Sequence, residues 1–163
     1  GGSKVVVHVS DAPRTSHDLD ERLARAADSL RLLARACAHM DAQLLVETPC
    51  PAVVGGLADE FASVMRPLDA TVGVCLDIGH VTLGGQWDDL LGAVADRVRH
   101  VHAHDHHGSA DDHLPPGDGR VDWQHVRSSL AAAGYQGWVV IELSRPAGPL
   151  VEFMSGALRR TRA

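Results

Sequence analysis

The feature that most constrains this chain is one kind of segment used five times: a short, apolar, largely β-branched run that ends on an ionisable side chain. The runs are KVVVH at 4–8, QLLVE at 43–47, VGVCLD at 72–77, HVHAH at 100–104 and WVVIE at 138–142. Turn residues bound them, and their length and β-branching mark buried strands.

Helical periodicity fills the intervals. From residue 18 to residue 40, Leu19, Leu23, Ala26, Leu30, Leu33 and Cys37 recur at three- and four-residue spacing beside Arg22, Arg25, Arg31 and Arg35, which predicts an apolar stripe with a solvated face. Further helices are expected at 57–65, 87–94, 123–133 and 149–160, with Asp122 as an N-cap and Gly134 as a stop. Trp87 and Trp123 are read as helix packing. Strict strand–helix alternation, with strands apolar on both faces, predicts a parallel sheet, either doubly wound or part of a (β/α)8 barrel. No Gly-rich phosphate fingerprint follows the first strand, which disfavours a nucleotide-binding sheet. Residues 105–120 form a long polar loop rich in His, Asp, Gly and Pro, and loops of that length in compact domains tend to be functional.

The chain is acidic, with a formal charge of -6 and Lys4 as its single lysine, so no polybasic patch advertises nucleic acid or an anionic membrane. No apolar run reaches the roughly 20 residues that span a bilayer, and the start lacks a signal-peptide core, so the expected location is cytoplasmic. Cys37, Cys50 and Cys75 are odd in number and make no CxxC pair, which fits reduced, structural thiols.

In a parallel barrel, His8, Glu47, Asp77, His102 and Glu142 would all sit at the carboxyl ends of strands and converge on the rim where barrel enzymes place their sites. Imidazole nitrogens and carboxylate oxygens suit Zn, Mn, Co or Mg, and several carboxylates in one place need a cation to offset their repulsion. His80 follows Asp77 closely enough to join such a cluster. In an extended strand His100, His102 and His104 share a face. His102 is the expected ligand, with His104, His106 and His107 facing substrate or solvent. Asp111 and His113 form an Asp-x-His pair leading into a Gly-Asp-Gly turn.

The pieces VVVH, LLVETP, VCLDIGH, HVHAHDHHG, DDHLPPGDGRVDW and GYQGWVVIEL resemble, in order and spacing, the superfamily of xylose isomerase-like TIM barrels, which includes sugar phosphate isomerases and epimerases and endonuclease IV. The resemblance implies a partial (β/α)8 barrel over residues 1–163, a single incomplete domain holding strands four to eight, with about three βα units not represented and two open sheet edges inviting self-association. It implies that Glu47, Asp77, His102 and Glu142 hold one divalent metal as in the epimerase-like members, and that His8, His80, Asp111 and His113 join them in the zinc endonucleases.

Three functions follow as expectations. A metal-dependent sugar or sugar-phosphate isomerase or epimerase would use Glu47 and Glu142 as an acid/base pair through an enediolate, with His104, His106 and Arg145 on the substrate. A phosphodiesterase acting on abasic DNA would need the full ligand set. A truncated, catalytically silent metal-binding fragment is the third.

Overall fold

The computed structural model describes residues 3–15 and 17–144. Five strands, β1 (Ser3–His8), β2 (Ala42–Glu47), β3 (Gly73–Asp77), β4 (Val98–Ala103) and β5 (Val139–Ile141), form one sheet in the order β1-β2-β3-β4-β5, with every pairing parallel. Sequential order in a parallel sheet with a helix at the first three crossovers and between β4 and β5 is that of a partial TIM barrel, as expected. Helices α1 (Leu19–His39), α2 (Ala58–Met65), α3 (Ile78–Leu83), α4 (Trp87–Val94) and α5 (Trp123–Ala132) supply these crossovers. The outer edges of β1 and β5 have no strand partner among the described residues, and Trp138, Val139 and Val140 on the β5 side are exposed.

The period-two alternation of each strand divides two environments. Leu44, Val46, Val74, Leu76, Val101 and Ala103 join the core beneath the helices with Phe61, Val64 and Leu90. Full burial of each Leu or Val side chain among these contributes about 1.5–3 kcal/mol. Glu47, Cys75, Asp77 and His102 occupy the other face. A register shift between Val74 and Cys75 secures this: Val74 pairs with Val98 but Cys75 pairs with His100, so β4 carries an extra residue, Arg99. Asp77 therefore lies level with His102. Without the bulge Val101 would take that place and His102 would turn to the helix side.

Three sequence expectations shift. The buried stripe of α1 runs through Leu23, Ala27, Leu30 and Cys37, whereas Leu33 is 43% exposed, because at about 100° per residue Leu33 lies roughly 80° round from Leu23, at the edge of the buried face. The fourth strand starts at Val98 and stops at Ala103, leaving His104 beyond it. Helix α3, not foreseen as an element, begins directly after β3 because Asp77 caps it, its Oδ1 accepting the His80 backbone N–H at 2.8 Å. Asp122 caps α5 as expected, accepting the His125 N–H at 3.0 Å, and Gly134 follows with φ 71°. The expected helix over 149–160 lies outside the described residues.

Candidate metal centre

Glu47, Asp77, His102 and Glu142 meet at the carboxyl rim of β2 to β5, each offering one donor atom within 4.8 Å of all the others. His102 Nδ1 lies 3.0 Å from Glu47 Oε1 and 3.3 Å from Glu142 Oε1. Glu47 is buried, while the Glu142 side chain is 37% exposed and forms the open side of the group. Asp77 is wholly buried. Its Oδ1 takes the cap bond from His80 N and stands 3.0 Å from His104 Nε2, whereas its Oδ2 is buried with no hydrogen-bond partner. Cys75 sits beside Glu47 and His102, but burial, and then the neighbouring carboxylates Glu47 and Asp77, push its thiol well above the ordinary range, so it stays protonated.

A second group adjoins the first. His80, His104, Asp111 and His113 also bring donor atoms within 4.8 Å of one another. His80 Nε2 is 3.1 Å and His113 Nε2 3.3 Å from Asp111 Oδ2, and His104 Nε2 is 3.6 Å from Asp111 Oδ1. The rings of His104 and His113 stack with centroids 3.9 Å apart and 10° between planes. The chain can bring His104 here because residue 79 is glycine: a Cβ there would lie 2.0 Å from His104 Cε1.

Charge is concentrated in both groups. Burial opposes ionisation of Asp77, yet contact with His104 and His80 outweighs it and holds the carboxyl below its usual range. For His80, burial disfavours the cation, but Asp111, Asp77 and the Thr48 carbonyl overcome it and raise the imidazole to about 9. Asp111 drops to about 2 because His80, His113 and His104 outweigh its own burial. His102 is likewise raised, burial being overcome by Glu47 and Glu142. By themselves these carboxylates favour the protonated form of the imidazoles beside them. A divalent cation balances them with unprotonated ones, which is the form that ligates. The unpartnered, buried Asp77 Oδ2 and a donor set of three carboxylates and one imidazole fit such an ion in the first group.

The remaining expected site residues fall as follows. His8 ends β1 with Nε2 3.3 Å from Glu47 Oε2 and Nδ1 3.2 Å from Asp11, at the edge of the first group. His104 and His106, read from sequence as facing substrate or solvent, are both buried. His104 joins the second group. His106 donates from Nε2 to Thr82 Oγ1 at 3.0 Å, since the Thr82 hydroxyl already donates to the Ile78 carbonyl. Arg145 lies outside the described residues.

Two residues with no ligand signature turn out to position the site. Thr48 directly follows Glu47; its Oγ1 accepts the Asp77 backbone N–H at 2.8 Å and its carbonyl accepts from His80 Nδ1 at 2.9 Å. Asp105, wholly buried, gathers the long loop: its carboxylate accepts from the N–H groups of His106 (2.9 Å), Gly117 (2.9 Å) and Val121 (3.0 Å), and from Trp123 Nε1 (2.8 Å). Gly119 passes so close that a Cβ there would sit 2.2 Å from Asp105 Oδ1. An Asp at the start of a Gly-containing loop was the available sequence signal for this knot.

A sequence profile for the family described as "Xylose isomerase-like TIM barrel" matches residues 1–160. An uncharacterized protein of Sinorhizobium fredii, y4fM, is 32% identical over 145 residues, covering 83% of this chain and 45% of that protein. An inosose dehydratase of Lacticaseibacillus casei is 31% identical over 90 residues, 44% of this chain and 30% of that enzyme. The chain thus spans less than half the length of these relatives. Among solved structures, a D-tagatose 3-epimerase-like protein superposes with a TM-score of 0.80 at 23% identity, over 98% of this chain and 60% of its own. The 3-keto-D-glucoside 4-epimerase YcjR of E. coli does so with a TM-score of 0.75 at 21% identity, over 99% and 64%. At these identities the structural likeness concerns the fold. No described helix is long and apolar enough to cross a membrane.

Proposed function

Because the chain belongs to the xylose isomerase-like TIM-barrel family, we propose that it forms the metal-binding part of a sugar or sugar-phosphate isomerase or epimerase that moves a proton next to a carbonyl. The observation that carries this reading is the convergence of Glu47, Asp77, His102 and Glu142 on one point of the strand-end rim. These four residues would hold a single divalent ion, which when bound polarises the substrate carbonyl and makes the neighbouring C–H acidic.

The protein's own groups then divide the work. Glu142, the more exposed carboxylate, faces the side from which a substrate arrives and takes the proton, generating an enediolate. Glu47, buried and 3.0 Å from the same His102 nitrogen that Glu142 approaches, is the other member of the acid/base pair and, protonated at the start of turnover, returns its proton to the neighbouring atom or the opposite face of the substrate. His102 Nδ1 lies 3.0 Å from one carboxylate and 3.3 Å from the other, so a single imidazole nitrogen gathers the pair. His8, touching Glu47 Oε2 from the exposed edge, orients that carboxylate. The inosose dehydratase among the relatives and the 3-keto-D-glucoside 4-epimerase among the solved structures are both named for polyhydroxylated ketones. The substrate class proposed here is accordingly a sugar or cyclitol with a hydroxyl beside a ketone.

The test is exchange of the proton α to the carbonyl into D2O, followed by NMR with ketoses and keto-inositols, after the protein has been stripped and reloaded with Mn2+ or Co2+. Glu142→Gln is expected to abolish exchange while metal-free protein shows none. Exchange unaffected by Glu142→Gln would sink the assignment. A second reading, phosphodiester cleavage at an abasic site, draws support from the adjacency of His80, Asp111 and His113 to the first group. The net charge of -6 weighs against a DNA partner. Cleavage of abasic duplex DNA that depends on His8 and Asp111 would favour it.

A further inference from the structure

We propose that the half-barrel has a deeper cation position in which Cys75 joins Glu47 and His102 to bind a thiophilic divalent ion, in competition with the ion held by Glu47, Asp77, His102 and Glu142. The inference rests on the proposed function for the identity of that competing ion.

Three observations carry it. First, Cys75 is set among charges rather than in the apolar core. A buried free cysteine ordinarily serves as a small apolar filler, and Cys37, packed in the core with Leu30, is one. Cys75 is as fully buried but does not join that core. It pairs in register with Glu47 on β2 and with His100 on β4. Strand alternation puts it on the same face as Asp77, about 6.6 Å further down β3.

Second, the donors are close enough for one ion. Cys75, Glu47 and His102 each offer an atom within 4.8 Å of the other two, and Glu47 Oε1 stands 3.0 Å from His102 Nδ1. A tetrahedral ion with bonds of about 2.3 Å to sulfur and 2.0–2.2 Å to nitrogen and oxygen needs donors roughly 3.3–3.7 Å apart. Small side-chain rotations close the set. Three protein ligands with a fourth position for water or a further carboxylate is a common zinc arrangement.

Third, two polar atoms around Cys75 are buried without hydrogen-bond partners. One is Oδ2 of the wholly buried Asp77, whose carboxylate shares Glu47 and His102 with the upper group. The other is Nδ1 of His100, the register partner of Cys75, whose ring stands edge-on to His102 with centroids 5.2 Å apart. Buried polar atoms left this way call for an explanation, and a cation between them and the sulfur is one.

The two positions differ in softness. Asp77 and Glu142 add oxygen donors that suit Mn2+ and Mg2+, whereas Cys75 adds sulfur, which selects Zn2+ or the still softer Cd2+. Cys75 binds as the thiolate: its S–H bond breaks, the proton passes to solvent, the sulfur–metal bond forms, and nothing is oxidised. Glu47 and His102 belong to both positions, so a thiophilic ion expels the Mn2+.

Cd2+ is the probe, and Cys50→Ser, which removes the one cysteine that is not buried, is the background. Protein stripped with a chelator and loaded with Mn2+ is titrated with Cd2+. Ultraviolet thiolate-to-cadmium charge transfer is recorded beside Mn2+ release by electron paramagnetic resonance, and the two are expected to rise with one midpoint. Cys75→Ala and Cys75→Ser should lose the band and keep their Mn2+ affinity, with Cd2+ affinity falling by more than the roughly 10- to 100-fold that loss of an outer-shell partner brings. Glu47→Gln should weaken the band and Mn2+ binding together. A band that survives both Cys75 substitutions overturns the inference, as does one unaffected by Glu47→Gln or one that saturates while Mn2+ stays bound. Should the Cys75 variants not fold, X-ray absorption at the cadmium edge on the Cys50→Ser protein still decides: a sulfur neighbour is expected, and none overturns the site. Mn2+ binding that ignores Glu142→Gln, beside a cadmium band that needs Cys75 and Glu47, would defeat the proposed function and leave the Cys75 position intact.

Discussion

Substituting Asp105 by Asn isolates the contribution of one buried carboxylate with almost no change of shape. Its two oxygens accept four hydrogen bonds: Oδ1 from the N–H groups of His106 and Val121, Oδ2 from Gly117 N–H and Trp123 Nε1–H. Whichever way an Asn side chain turns, one of these donor pairs meets an NH2 group, so two bonds are lost and donor faces donor. Hydrogen bonds to a charged group contribute about 1.5–3 kcal/mol each, which sets a loss of roughly 3–6 kcal/mol for the pair. At about 2–4 °C per kcal/mol for a domain of this size, the midpoint of thermal unfolding should fall by roughly 6–24 °C. The acid dependence has a definite sign. Burial opposes ionisation of Asp105, but the bonds from Trp123, Val121, His106 and Gly117 outweigh it and hold its folded pKa below the ordinary value. Its contribution is therefore complete above the unfolded pKa of about 3.9 and is lost as pH falls through the lower folded value. Calorimetry or circular dichroism of wild type and Asp105→Asn, at neutral pH and in acid, measures both effects. A midpoint lowered by less than about 2 °C at neutral pH would refute the reasoning, because it would mean these donors find water or other acceptors at little cost.

Gly79→Ala places a methyl against the buried ring of His104, which has no space to retreat into; a loss of about 1–3 kcal/mol is expected from overpacking, measured by urea unfolding. Thr48→Val keeps the shape but removes the acceptor for the Asp77 N–H; about 1–3 kcal/mol of stability should go with it, together with weaker Mn2+ binding by titration calorimetry. Adding metal at about 100 times its dissociation constant should stabilise the wild-type fold by about 2.7 kcal/mol, and excess chelator should reverse the shift in midpoint; Glu142→Gln should blunt the response to Mn2+.

The sequence by itself determined the alternating architecture and the identity of most rim residues. Alternation of β-branched runs with amphipathic stretches is a local property, and a residue that ends a strand in a parallel sheet lies at the rim whatever the rest of the chain does. That is why Glu47, Asp77 and Glu142 were legible as rim residues, while His102 was one of three histidines alternating in its run. Tertiary structure decided which histidine goes where. The bulge at Arg99 sets β4 one residue out of step with β3, so that His102 rather than Val101 stands level with Asp77. The strand then stops at Ala103, which frees His104 from the strict alternation that would have kept it on one face with His102. It swings instead against Gly79, into the company of His80, Asp111 and His113. The knot at Asp105 likewise depends on donors up to Trp123, brought together by chain path rather than by any local periodicity. Period and residue type are written along the chain, whereas register, strand length and the meeting of distant donors depend on how each segment packs against neighbours remote in sequence.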